Sequence, residues 1–438
     1  MYCITSFPLL CKRGKHKSTL SLLICVILQG LTLAPLKAQP YDSVFHSRYH
    51  LKQMVVMSRH NIRSPLSTNG STLSQITSHK WHKWSAAPSE LTLKGGILET
   101  MMGQYFRQWV VREGLMTENY LPKDGEIRVY ANSMQRTIAT AQYFSSGFLP
   151  IANVKVNRRF RSSRMDSIFH PQLTDVSPGF VRHALGEINA MGGKDGLKGY
   201  CHKLLPAYHK LVEVLDADTT KLLLTDNDTQ IHLKLHDEPT MSGSLKLANQ
   251  AADALILQYY EEPNAAKAAF GHQLSDEDWE LISSIKDAYG DLLFTAPTIA
   301  TQVAHPLLCL LDSEIVCPGR KFTFLCGHDS NLSSILAALG AKYYTLPGTI
   351  EHRTPIGSAL VLERWVDNYG QEFIRIQLVY QTSDQLRYAT PLTLENPPAR
   401  YTIQLDRLQP NNDGLLTLRD FRTRLMTAIQ AINKPNSK

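Results

Sequence analysis

Several chemistries can be set aside because this 438-residue sequence lacks what they need. It has no Gly-rich phosphate loop, no zinc-peptidase helix motif and no G-x-S-x-G elbow, which removes the P-loop, metallopeptidase and α/β-hydrolase readings. It has few cysteines, seven in all, and none of their spacings is that of a zinc site. It has no block of like charges in its main body. The formal net charge is +7, but residues 1–38 carry Lys12, Arg13, Lys15, Lys17 and Lys37 with no acid, so the remainder is +7 − 5 = +2. Binding to nucleic acid or another polyanion loses its main support. There is no internal repeat and no low-complexity linker. Beyond the N-terminus no apolar run approaches the ~18 residues of a membrane span.

The length exceeds one typical domain, or fits one domain with a large insertion, and 43% hydrophobic with 19% charged residues is ordinary globular composition. The first 38 residues read as a secretory signal: a basic stretch, an apolar run from about Leu20 to Leu33, and a cleavage point after Ala38. An exported, periplasmic or secreted protein is expected, with no membrane span once the signal is removed. Cys3, Cys11 and Cys25 leave with it. Cys201, Cys309, Cys317 and Cys326 remain, an even number that permits disulfides but leaves their pairing open. Cys326, at the end of an apolar run, also reads as a buried thiol.

The stretch Met54-Val55-Val56-Met57-Ser58-Arg59-His60-Asn61-Ile62-Arg63-Ser64-Pro65 organises the rest. Its apolar run is continuous, as in a strand buried on both faces, and Pro65 disfavours a helix through Ser64. Arg59, His60 and Arg63 therefore sit just past the C-terminal end of a strand, where ligands bind in open α/β sheets. Arginine forks match phosphate oxygens, and a neutral imidazole is a competent nucleophile. The ordinary fate of such residues is a solvated basic loop. The pattern R-H-x-x-R-x-P is more specific: it resembles the nucleophile motif of the histidine acid phosphatases, the branch of the histidine phosphatase superfamily that includes phytases and periplasmic glucose-1-phosphatases. Asn61 stands where many members have Gly, and in this it is similar to the glucose-1-phosphatases.

A helix is predicted from Thr92, with Ile97, Met101 and Tyr105 on one face and Leu98, Met102 and Phe106 beside them. The stretch from Arg128 to Ala141 reads as a strand followed by a helix, with Ser133 as its cap and Arg136 in its first turn. A lone Arg there is ordinarily a surface residue, but the surroundings of Arg136 resemble the family's third phosphate-binding arginine. From 155 to 295 helical signals dominate, including Leu245–Tyr260 and a helix opened by Ser275. This region reads as an inserted helical cap over an α/β domain formed by 39–154 and 296–438. Within it, Glu238 is an exposed loop carboxylate on the plain reading. The segment Glu238-Pro239…Ser242-Gly243 resembles the one whose Glu contacts substrate in glucose-1-phosphatases.

Lys321–Cys326 reads as a buried strand, Gly327-His328-Asp329-Ser330 as a turn, and Leu332, Ile335, Leu336 and Leu339 as the apolar face of a helix stopped by Gly340. A helix N-terminus favours an anion, and Asp329 could serve there simply as an N-cap. The motif also resembles the family's second one, which implies that His328 binds phosphate and Asp329 donates a proton. Glu351–Gly357, with His352 as an extra residue, is similar to glucose-1-phosphatases as well. Strand-like runs Ala359–Leu362 and Phe373–Tyr380 and a closing helix over Leu415–Ile432 follow.

The resemblance implies a phosphoglycerate-mutase-like mixed α/β sheet flanked by helices, with the helical cap inserted. It implies a phosphomonoester hydrolase in which Arg59, Arg63, Arg136 and His328 hold the phosphoryl group, His60 attacks it, and Asp329 protonates the leaving alcohol. No cofactor or metal is required. Glucose 1-phosphate is the expected substrate, with Glu238 facing the sugar. Alternatives are a phytase, a mutase-type transferase, and a catalytically silent sugar-phosphate binder; retention of His60 with Asp329 argues against the last.

Overall fold

A computed structural model describes residues 42–66, 72–161, 164–218 and 222–432. The expected signal segment lies outside them. The central sheet has eight strands in the order β10-β8-β7-β1-β6-β2-β3, with β9 also paired to β8. These are β1 (Tyr49–Arg59), β2 (Ile127–Ala131), β3 (Val156–Asn157), β6 (Phe322–Gly327), β7 (Ala359–Asp367), β8 (Glu372–Tyr380), β9 (Ala399–Thr402) and β10 (Leu416–Thr417). A separate hairpin pairs β4 (Gln230–His232) with β5 (Thr240–Ser242). β1, β6, β2 and β3 run parallel to one another, while β7 and β8 make the other half antiparallel. The architecture is thus mixed α/β with helices on both faces, as the resemblance implied.

The continuous apolar run in β1 is explained by what covers it. Met54 and Val56 pack with helices α1 (Leu93–Arg112) and α2 (Gln135–Phe148), through Met102, Phe106, Phe144 and Phe148. The α1 stripe is Leu98, Met102, Tyr105, Phe106 and Trp109; Ile97, expected on the packed face, is 43% exposed. Val55 and Met57 point the other way, into a cluster with Leu307, Leu308, Leu332, Ile335 and Leu425. Successive strand residues alternate faces, so two covered faces leave no polar position.

Residues 155–295 carry α3 (Pro178–Met191), α4 (Leu205–Val214), α5 (Ser244–Glu261) and α6 (Asp276–Phe294), which share a large apolar cluster with Ile62 and Leu98. The same stretch also supplies β3 to the sheet edge and the β4–β5 hairpin, strands the helical signals had hidden. Then come α7 (Pro297–Ile315), α8 (Asp329–Ala338) and α9 (Leu418–Ala431). Among the described residues no single helix is long and apolar enough to cross a membrane; α6 and α7 pass together but turn 84° between them.

Two local expectations need correction. Ser133 does not cap α2: Met134 is the N-cap, and the Ser133 hydroxyl accepts from the Phe160 N–H at 2.9 Å. Asp329 is not the N-cap of α8 either. That position is His328, whose N–H donates to Asn331 Oδ1 at 2.9 Å. All four cysteines of the main body are unpaired, with Cys201 and Cys326 buried.

Candidate active site

The parallel strands β1, β6 and β2 end at the same level. Arg59 is level with Gly327, Ala131 with Cys326, and the His60 and Asn132 N–H groups continue the ladder onto the Gly327 and Cys326 carbonyls at 3.0 and 2.9 Å. Residues far apart in sequence are thereby delivered to one sheet edge. The loop after β1 is clamped from two sides. A Cβ on Gly95, at the start of α1, would stand 2.3 Å from the Ile62 carbonyl oxygen. Gly357, at φ +68°, would bring one within 2.5 Å of Asn61 Nδ2. Only glycine permits both approaches.

His60 is 4% exposed, and its Nδ1 donates to the Asn61 carbonyl at 2.9 Å. That bond fixes the tautomer and leaves Nε2 as the lone-pair nitrogen. Burial, then Arg136, His328, Arg63 and Arg59, push the imidazole well below its ordinary pKa, so the ring is neutral. Asn61 is itself anchored: Oδ1 accepts from the Ile62 N–H at 2.9 Å, and Nδ2 donates to Glu99 Oε2 at 2.9 Å. Burial pushes the Glu99 carboxyl up to about 8, against the pull of that bond.

His328 faces His60 edge-on, with ring centroids 5.5 Å apart at 73°. Its Nε2 receives Asn132 Nδ2 at 2.7 Å, and its Nδ1 lies 3.5 Å from Arg136 Nη2. Burial and then Arg136 keep it neutral too. Arg136, in the first turn of α2, has a buried Nε with no partner in the protein.

Arg59 and Arg63 belong to a buried ion network. Arg59 Nη1 donates to Glu351 Oε1 at 2.9 Å and also to the Thr354 carbonyl, while Nη2 lies 3.5 Å from Asp329 Oδ2. Arg63 Nη2 donates to Asp253 Oδ2 at 3.0 Å. Lys286 Nζ joins the two halves, 2.9 Å from Glu351 Oε1 and 3.2 Å from Asp253 Oδ1. Burial would raise the Asp253 carboxyl, but Arg63 and Lys286 hold it at about 2. The Asp329 carboxylate is 43% exposed. Burial effects on it are outweighed by Arg59, then Lys286 and His328, which hold it well below the usual carboxylate range.

Glu238 reaches the same cleft. The loop before β5 is tied to Leu173 through the His236 N–H and the Asp237 carbonyl, at 2.8 and 3.1 Å. Glu238 Oε1 lies 3.1 Å from His170 Nε2. Burial raises its carboxyl against the pull of His170, and Asp329 adds to the rise. Beyond the arginines the cleft wall presents Glu238, Asn249, Gln250, Asp287 and Asp291, with Lys246 and Arg353. The seven residues singled out in the sequence therefore converge. Those it missed are Asn132, Glu99, Asp253 and Lys286, while Glu351 lay in a segment noted for its resemblance but was given no role. Asp253 left a faint signal, as a lone acid inside the apolar run Ala251–Leu257 of α5.

Residues 50–381 match the family model of the histidine phosphatase superfamily, branch 2. The chain belongs to that superfamily. It is 38% identical to a glucose-1-phosphatase of Providencia rettgeri over 393 residues, covering 87% of this chain and 92% of that one. It is 29% identical to the phytase AppA of Escherichia coli (strain K12), covering 89% and 94%. The solved structure of the phytase from Citrobacter braakii shares the fold with a TM-score of 0.79 at 24% identity, covering 87% of this chain and 98% of that one. This protein is a histidine acid phosphatase, a hydrolase of small phosphate monoesters.

Proposed function

We propose that this phosphatase is exported and hydrolyses small sugar phosphates, led by glucose 1-phosphate, through a phosphohistidine on His60. The observation that carries the mechanism is the His60 ring: neutral, with Nδ1 engaged and Nε2 unencumbered among three arginines. Arg59, Arg63, Arg136 and His328 hold the phosphoryl oxygens and stabilise charge as it develops. Nε2 attacks phosphorus as the ester oxygen departs. Asp329 supplies the proton to that oxygen, then takes one from the water that cleaves the P–N bond. In the unliganded protein Asp329 is ionised. A phosphate in the cradle offsets the positive charge of Arg59, which lets the carboxyl bind the proton it must deliver.

The leaving group is selected beyond the cradle, by the cap formed from residues 155–295. Glu238, Asn249, Gln250, Asp287 and Asp291 suit sugar hydroxyls, and a site built for hydroxyls discriminates against ligands lacking them. Once ionised, the same carboxylates repel a ligand bearing many phosphates, although burial raises all three, Asp287 to about 7. The phytase reading keeps one observation in its favour: Lys246 and Arg353 also line the cleft. The test is kcat/KM for glucose 1-phosphate, phytate and a phosphorylated peptide, in the wild type and in Glu238→Gln. Glucose 1-phosphate should lead, and the variant should narrow its lead about tenfold. A clear win for phytate in the wild type replaces this reading with the phytase one.

A further inference from the structure

Away from the catalytic cleft, three side chains from three separate segments converge on one point. His79 follows the short helix Thr72–Ile76, Asp216 follows α4, and His272 follows the helix Ala265–Ala268. His79 Nε2 lies 2.7 Å from Asp216 Oδ2, and His272 Nε2 lies 3.2 Å from the same oxygen. The three atoms all lie within 4.8 Å of one another. The imidazole planes stand at 90° with centroids 6.5 Å apart, so their nitrogens meet at a point and the rings do not stack on each other.

We propose that His79, Asp216 and His272 form a divalent-cation site of the zinc type, which ties the segment after the nucleophile loop to the helical insertion. The donor set is two imidazole nitrogens and one carboxylate oxygen. That set suits Zn²⁺ and its late first-row neighbours, whereas Ca²⁺ and Mg²⁺ prefer all-oxygen surroundings. Three ligand atoms about 2.0–2.1 Å from a tetrahedral centre stand roughly 3.4 Å apart. The two separations from Asp216 Oδ2 fall short of that by less than an ångström. A water completes the tetrahedron, since His79 and His272 are about a quarter exposed and Asp216 about half, at 25%, 27% and 55%.

The positions are set by contacts that do not need the cation. The His79 ring lies flat on Phe270, with centroids 4.7 Å apart and planes 4° apart, and Trp81 meets Phe270 edge-on at 5.1 Å. Thr77 Oγ1 accepts from the His79 N–H at 3.1 Å and donates to the Leu215 carbonyl at 2.5 Å, which joins the His79 segment to the turn bearing Asp216. None of the three ligands lines the catalytic cleft. The segment that carries His79 shares a surface cavity with Ser64 and Pro65, the last residues of the nucleophile motif. A cation here acts as a staple behind that motif, taking no part in the chemistry.

The experiment uses the full chain, stripped with EDTA and dialysed, then titrated with ZnCl₂ or MgCl₂. Equilibrium dialysis with metal analysis should give one Zn²⁺ per chain, a melting temperature raised by several degrees, and no response to Mg²⁺. His272→Ala and Asp216→Asn should each weaken Zn²⁺ binding at least tenfold, while their metal-free forms still hydrolyse p-nitrophenyl phosphate, which reports that they fold. His60→Ala should keep the Zn²⁺, because His60 and His328 are the competing imidazole pair. Sub-stoichiometric binding by the wild type, unchanged affinity in both cap variants, or loss of Zn²⁺ in His60→Ala would each overturn the proposal.

Discussion

Asn132 Nδ2 stands 2.7 Å from His328 Nε2, while Asn132 Oδ1 is already taken by the Ser133 and Asp166 N–H groups at 2.8 Å each. The amide cannot flip without placing its NH₂ against two donors. Nε2 of His328 therefore carries the lone pair and Nδ1 the proton, and Arg136 Nη2, a donor 3.5 Å from Nδ1, is then its neighbour and not its hydrogen-bond partner. A neutral imidazole can thus donate to a phosphate oxygen.

Asn132→Asp replaces that donor with an acceptor. The carboxylate draws a proton onto Nε2 and raises the His328 pKa. While His328 is doubly protonated, at low pH, Nδ1–H survives and the variant should work. As pH rises through the raised pKa, the remaining proton goes to Nε2, and a lone pair on Nδ1 confronts the phosphate. The variant's kcat/KM should fall at least tenfold across that titration, where the wild type shows no such descent. Superimposable pH profiles would remove the tautomer role.

His60→Ala should lower turnover by at least ~10³-fold with little change in phosphate binding. Rapid quenching of the wild type with labelled substrate should trap an acid-labile, base-stable adduct. Because burial and four cationic or imidazole neighbours depress the His60 pKa, the wild-type rate should not decline as pH is lowered through the ordinary histidine range near 6.5. A decline there would place the proton on the nucleophile.

Asp329→Asn retains the side-chain oxygen that accepts from the Ser330 N–H, so α8 should keep its start. It cannot deliver a catalytic proton. Sugar phosphates, whose leaving alkoxide is strongly basic, should slow far more than p-nitrophenyl phosphate. Equal losses on both substrates would assign Asp329 to structure alone.

Glu99 predicts a pH-dependent stability. Its carboxyl titrates at about 8 in the folded protein against 4.5 when exposed, so the folded state binds the proton more tightly. The associated stability is complete below about 4.5 and is lost as pH rises towards 8. Glu99→Gln, permanently neutral, should escape that loss. The difference in melting temperature, variant minus wild type, should therefore grow by several degrees between pH 4.5 and 8. A flat difference would show that the carboxylate is stabilised where it lies.

The strands and helices of the α/β frame were legible because each has a simple period: the continuous run of β1, and Leu332, Ile335, Leu336 and Leu339 on α8. The candidate residues of the cleft could be picked out because most of them sit in short contiguous motifs at strand ends. What escaped was whatever depends on contacts across long separations. Nothing local marks Lys286 as the bridge between Glu351 and Asp253, or Glu99 as the anchor of Asn61. Ser133 has the chemistry of a cap, yet its hydroxyl was claimed by Phe160, a residue it meets only in three dimensions. The β4–β5 hairpin was missed because its three-residue strands are too short for alternation to register.

The position of β1 bears on how this protein can be made. Its two neighbours, β6 and β7, begin at Phe322 and Ala359, so β1, the first of the described strands, has neither partner until most of the chain has followed. Through that interval the Met54–Met57 run stays bare along both edges, a template for stray pairing with other chains. Closure over so many residues favours late, slow assembly, and a chain cut short before Phe322 lacks His328, Asp329 and Glu351. Catalytic competence is in this sense a certificate of synthesis past Glu351: Arg59 has no such partner in a chain that ends before it.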